Sequence, residues 1–125
     1  MLVFAGGTLG TLARWAVGLA LPHRGGLAWG TVLVNVLGAF VLGWLLAHLA
    51  GRGPDSGRRR AVRLAAGTGF CGGFTTYSAL ANDTDTLLRA GQLGAAAGYA
   101  VGTVVLGLLA SGAGIALASR GRRAG

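Results

Sequence analysis

Four apolar runs, Leu2–Leu21, Trp29–Ala50, Val62–Ala81 and Leu93–Ala118, fill most of the 125 residues of this chain. Each is close to the ~20 residues that a helix rising 1.5 Å per residue needs to cross the hydrocarbon core of a bilayer. Only 11% of the residues are charged and 53% are hydrophobic, about half the charge of an average soluble domain. The connections Pro22–Ala28, Gly51–Ala61 and Asn82–Gln92 leave no room for a soluble domain. The expected fold is all-α and integral to a membrane, with four crossings in one domain over residues 1–125. Arg14 interrupts the first run and nothing basic precedes it, so that run is expected to be retained rather than cleaved as a signal peptide. Gly6 with Gly10, and the ladder Gly94, Gly98 and Gly102, supply small residues for close helix packing. Four short helices enclose little, so an oligomer is expected.

Every basic residue is an arginine, and the net charge is +8. Such a charge could suit nucleic acid, but these arginines flank membrane runs, which points to topology instead. With four crossings, one side of the membrane holds Arg52, Arg58, Arg59, Arg60, Arg63, Arg120, Arg122 and Arg123. The other holds Arg24 and Arg89, offset by Asp83 and Asp85. Both termini are therefore expected in the cytoplasm. The Arg58–Arg60 cluster would lie against anionic headgroups. His23 and His48 stand singly near helix ends without metal-ligand spacing, and the single cysteine, Cys71, allows no intrachain disulfide.

The third run contains Gly67-Thr-Gly-Phe-Cys-Gly-Gly-Phe-Thr-Thr-Tyr-Ser78. Glycine is poorer than alanine in a helix interior by about 1 kcal/mol, so the spacing points to a broken helix or to close packing through small residues. Irregular backbone at membrane depth survives only where it is buried in protein or lines a wet cavity. Freed carbonyls there would make a cation site.

All three acidic residues, Asp55, Asp83 and Asp85, fall in the expected loops, and there is no glutamate. A crossing without a carboxylate argues against proton coupling and against selection of an organic cation. The runs instead carry hydrogen-bond donors: Arg14, Thr31, Asn35, Thr75, Thr76, Tyr77, Ser78, Tyr99, Thr103 and Ser111. Uncharged donors on a pore wall suit a small anion. Thr31 and Asn35 share one helix face, and Tyr99, Thr103, Gly107 and Ser111 form a line at i, i+4 spacing. That line is either a polar track or a set of interhelical hydrogen bonds. Asn35 is costly to bury without a role. Arg14, well inside its run, is expected to face a cavity or bind carbonyls. Tyr77 directly follows the expected helix break, and its positive ring edge can face an anion. Trp29 and Trp44 are placed as interfacial anchors. No acid–base pair or activated nucleophile supports an enzyme.

These residues resemble the Fluc (CrcB) fluoride channels. The resemblance rests on Gly6-Gly7-x-x-Gly10-x-x-x-Arg14-Trp15, Gly30-Thr31-x-x-x-Asn35-x-x-Gly38-x-Phe40, Gly69-Phe-Cys-Gly-Gly-Phe-Thr-Thr-Tyr-Ser78 and Tyr99, through all four runs in order. It implies an antiparallel dimer that lets fluoride leave the cytoplasm passively and lowers its toxicity. It also implies a third helix broken at the Gly-Gly-x-Thr-Thr element. Carbonyls from both subunits would there hold one structural sodium ion; in this chain they are those of Gly72 and Thr75. Asn35, Tyr77, Ser78, Tyr99 and Thr103 would line the fluoride pathway, with Arg14 in the vestibule.

Three features depart from the family pattern. Leu80 stands where an aromatic is typical, Gly107 where a serine is frequent, and the arginine bias is strong for a chain that must insert both ways. The departures point to a heterodimer with an oppositely oriented paralogue, in which this chain conducts or serves as a non-conducting partner. A small multidrug-type transporter is the remaining alternative, but it would carry a glutamate in its first crossing.

Overall fold

The computed structural model describes residues 1–21 and 26–123, the side chains of Arg122 and Arg123 excepted. His23 and Arg24 lie outside the described residues. The chain runs through α1 (Leu2–Ala20), α2 (Trp29–Ala50), α3 (Gly57–Val62), a π-helical stretch (Arg63–Cys71), α4 (Gly72–Phe74), α5 (Tyr77–Arg89) and α6 (Leu93–Arg123). Three described helices, α1, α2 and α6, are long and apolar enough to cross a membrane unaided. The third crossing is composite, running from Gly57 through the π-helical stretch and a two-residue break to Arg89.

Polarity is distributed as in a protein dissolved in lipid. Phe4, Trp15, Leu108 and Leu109 are each at least 64% exposed, whereas α1 buries only Gly6 and Gly10. Without a hydrophobic drive between helices in lipid, association depends on backbones approaching closely. A Cβ on Gly10 would strike the Phe70 carbonyl oxygen, so only glycine lets α1 lie on the third crossing. Gly43 meets Ser111 in the same way and seats α2 along α6. Two glycines of the third run serve the same packing: Gly69 lies on Gly6 and Gly73 on Gly7. A smaller core of Ala28, Leu80, Leu87, Ala96 and Tyr99 joins α5 and α6 to the chain entering α2.

Three expectations are corrected. Asn82–Gln92 is not a loop, because α5 continues to Arg89 and the turn is confined to Ala90–Gln92 around Gly91, whose φ is 74°. Leu80 and Leu87 bury one face of that helix, and Arg89 pairs with Asp85 one turn away at 2.6 Å. Asp83 and Asp85 therefore lie on the helix that continues the third run and not in a loop. Finally, the ladder Gly94, Gly98 and Gly102 packs nothing within the subunit, since a Cβ on any of the three meets open space.

Candidate functional site

The break falls at Thr75 and Thr76, both extended with ψ of 160° and 120°, beyond the glycines and after the π-helical stretch. A π-helix is rare, occurring mostly as single-turn bulges, and frequently marks functional sites. Two β-branched residues in succession resist helical rotamers, and side chains capture the backbone groups that the helix gives up. Asn35 on α2 clamps Thr76 in both directions: its Nδ2 donates to the Thr76 carbonyl at 2.9 Å, and its Oδ1 accepts the Thr76 N–H at 2.7 Å. Thr76 Oγ1 caps α5 by accepting the Ala79 N–H at 3.1 Å. Thr75 closes the upstream half, donating its N–H and its hydroxyl to the Cys71 carbonyl at 3.0 and 2.8 Å.

These captures have a consequence for Gly72 and Thr75. In an unbroken helix the Thr76 N–H would go to the Gly72 carbonyl, and the Ala79 N–H to the Thr75 carbonyl. Asn35 takes the first and the Thr76 hydroxyl takes the second. Gly72 also faces open space on the surface of the subunit. The Thr75 carbonyl keeps one long contact, from Arg14 Nη1 at 3.4 Å. Arg14 is half-buried and lines a cavity of about 110 Å³ together with Val34, Thr31, Thr76 and Ala79. Arg14 thus lines a cavity and reaches a carbonyl at the same time.

Beside the clamp stands a polar cluster with a carboxylate at its centre. Tyr99 and Thr103 on α6 are 7% and 5% exposed. The Tyr99 hydroxyl lies 3.0 Å from Asp83 Oδ2 and 3.2 Å from the Ala28 carbonyl, and its single hydrogen can serve either. Thr31 Oγ1 donates to the same Asp83 oxygen at 2.8 Å. Thr103 donates to the Tyr99 carbonyl within its own helix, at 2.7 Å. The hydroxyls at the upper end of the α6 line are thus engaged inside the subunit. The lower end is a packing seam, with Gly107 near Ala39 and Ser111 against Gly43.

Tyr77 and Ser78 do not join this cluster. Tyr77 is 83% exposed and lines an open groove between α5 and α6 with Leu88, Val101 and Val104. Ser78 is exposed, with its hydroxyl 3.2 Å from that of Thr76. Sequence reasoning missed Asp83, which the expected loop hid. Its signal was present in Leu80, Asp83 or Thr84, and Leu87 at helical spacing, with no glycine or proline before Gly91.

A family model described as CrcB-like protein, Camphor Resistance (CrcB), matches residues 1–115. The chain is 56% identical over 117 residues to fluoride-specific ion channel FluC 2 of Leifsonia xyli subsp. xyli, covering 94% of this chain and 81% of that one. It is 50% identical over 109 residues to FluC 1 of Cutibacterium acnes, covering 86% and 76%. With FluC of Gloeobacter violaceus the identity is 45% over 117 residues, covering 91% and 90%. The match over residues 1–115 spans the break, Asn35 and Tyr99, and the chain belongs to the CrcB family.

Proposed function

We propose that this multi-pass membrane protein is a subunit of a fluoride-specific channel through which fluoride leaves the cytoplasm passively. The observation that carries the reading is the break at Thr75–Thr76, held open by Asn35, in a chain that matches the CrcB family over nearly its whole length. Fluoride is a compact, strong acceptor, so several close donors are needed to offset its lost hydration. Asn35 in the clamp and Tyr99 and Thr103 beside it would supply them by giving up the acceptors they hold within the subunit, with Arg14 in the adjoining cavity attracting the anion. Tyr77 and Ser78, on the uncovered face, would meet the ion only once a second subunit lies against α5. Asp83 adds a term that the sequence reading lacked: an anion reaching Tyr99 competes with a carboxylate for the hydroxyl hydrogen.

The Gly72 and Thr75 carbonyls fit a sodium site, because both lose their helix donors and Gly72 opens to the subunit surface. Two carbonyls do not complete a cation shell, so the fit requires a second subunit. Bound there, sodium would neutralise the facing carbonyl dipoles and join two broken helices. The open face of α5 and α6, including the glycine ladder, supports an antiparallel dimer. The arginine bias supports cytoplasmic termini and an oppositely oriented paralogue as partner. Gly107 and the internally engaged hydroxyls favour a second reading, in which this subunit's own track is silent and the partner's conducts.

Fluoride efflux from liposomes, followed with a fluoride electrode, tests the proposal. The expected result is efflux when this chain is reconstituted with a CrcB paralogue of opposite arginine bias. Efflux from this chain alone would reject the obligate heterodimer, and no efflux in either preparation would reject the channel.

A further inference from the structure

The connection from α2 into α3 carries two guanidinium groups, those of Arg52 and Arg58, above an apolar wall. Their loop is tied by its own residues: Arg59 donates Nε to the Pro54 carbonyl at 3.1 Å and Nη1 to the Arg52 carbonyl. Asp55, the one acid in this loop, is taken by Arg63 at 2.8 Å, and that guanidinium holds its carboxyl below the usual range. Arg52 and Arg58 therefore have no side-chain hydrogen bond or ion pair among the described residues. Both line an open groove of about 770 Å³ whose floor includes Trp44, Leu49 and Val62. Trp44 stacks on His48 with ring centroids 4.9 Å apart. The groove sits at the last turns of a membrane-crossing helix that ends at Ala50.

We propose that this groove binds one anionic phospholipid from the surrounding bilayer. Guanidinium groups match phosphate oxygens with paired N–H donors, and no acid in the groove competes for Arg52 or Arg58. Tryptophan belongs at headgroup depth, where one side of the ring is apolar and the other wet. A free anion would leave the apolar floor bare, whereas a headgroup attached to acyl chains covers it. Arg59 lines the groove as well, but its guanidinium is held by the Pro54 and Arg52 carbonyls, which leaves Arg52 and Arg58 to select the headgroup. The occupied groove would fix the α2–α3 connection against the membrane surface.

The test uses the full chain in phosphatidylcholine bilayers, with Trp15→Phe and Trp29→Phe leaving Trp44 as the only fluorophore of its class. Brominated phosphatidylglycerol and brominated phosphatidylcholine are compared as quenchers at equal low mole fraction. The anionic lipid is expected to quench Trp44 about twofold more strongly, because rim arginines concentrate it. Arg52→Gln with Arg58→Gln is expected to remove that excess and leave quenching by phosphatidylcholine unchanged, which also reports that the fold persists. Arg120→Gln, outside the groove, is expected to leave the excess intact. Equal quenching by the two lipids would overturn the proposal, as would loss of the excess in Arg120→Gln, which would signal general surface charge. Displacement by inorganic phosphate at constant ionic strength would likewise overturn it, assigning the groove to a free anion.

Discussion

At the scale of single residues, Asn35 does more than present an amide to a pathway. It supplies both a donor and an acceptor to one extended residue, and so decides which carbonyls the break leaves open. Aspartate there keeps the acceptor and sets a second oxygen against the Thr76 carbonyl. Asn35→Asp is expected to abolish fluoride efflux and to cost about 1–3 kcal/mol, the range for an unsatisfied buried group; wild-type melting with lost efflux would mean that Asn35 acts on the ion alone. Asp83→Ala is expected to destabilise by about 1–2 kcal/mol, since Thr31 loses its acceptor and Tyr99 falls back on the Ala28 carbonyl. Thermal unfolding in detergent would measure it. Asn35 was legible in the sequence because a buried amide in an apolar run needs a reason. Asp83 was not, because hydrophilic residues between two runs read equally well as loop or as the wet half of a crossing.

At the scale of elements, the third crossing divides its tasks between glycines and threonines. The Gly-Gly-x-Thr-Thr element suggested a break just before Tyr77; in the fold its glycines remain helical, Gly69 and Gly73 lie against α1, and the break falls at the β-branched pair. Periodicity alone cannot separate these outcomes, since the same small residues relax a helix and admit a neighbour. The two glycine sets can be separated by substitution. Gly10→Ala drives a methyl into the Phe70 carbonyl and is expected to cost about 1–3 kcal/mol or to prevent folding. Gly98→Ala meets nothing within the subunit, so it is expected to leave subunit melting unchanged and weaken association. Subunit exchange in liposomes, read by energy transfer, would detect that weakening. An unchanged exchange rate would remove the glycine ladder from the proposed interface.

At the scale of the whole molecule, one subunit leaves its groove of Tyr77, Leu88, Val101 and Val104 uncovered and its Gly72 and Thr75 carbonyls without helix donors. In the proposed dimer both features would face a second broken crossing. Hydropathy made α1, α2 and α6 plain in the sequence as helices of membrane length, and the arginine count is what supports the orientation proposed above. The partner is not legible in this way, because an interface in lipid is written in small apolar residues that a lipid-facing surface also contains. Exchange of sodium for a large organic cation on both sides is expected to lower fluoride efflux and the melting temperature together. Unchanged values of both after exhaustive exchange would remove the sodium assignment.

The most direct measurement is fluoride efflux from liposomes holding this chain with an oppositely biased CrcB paralogue, with Asn35→Asp in parallel. Wild type is expected to empty the liposomes of fluoride while retaining chloride, and the variant to hold both. No fluoride movement from the wild-type pair, or equal movement through wild type and variant, would contradict a fluoride path built around the Asn35 clamp.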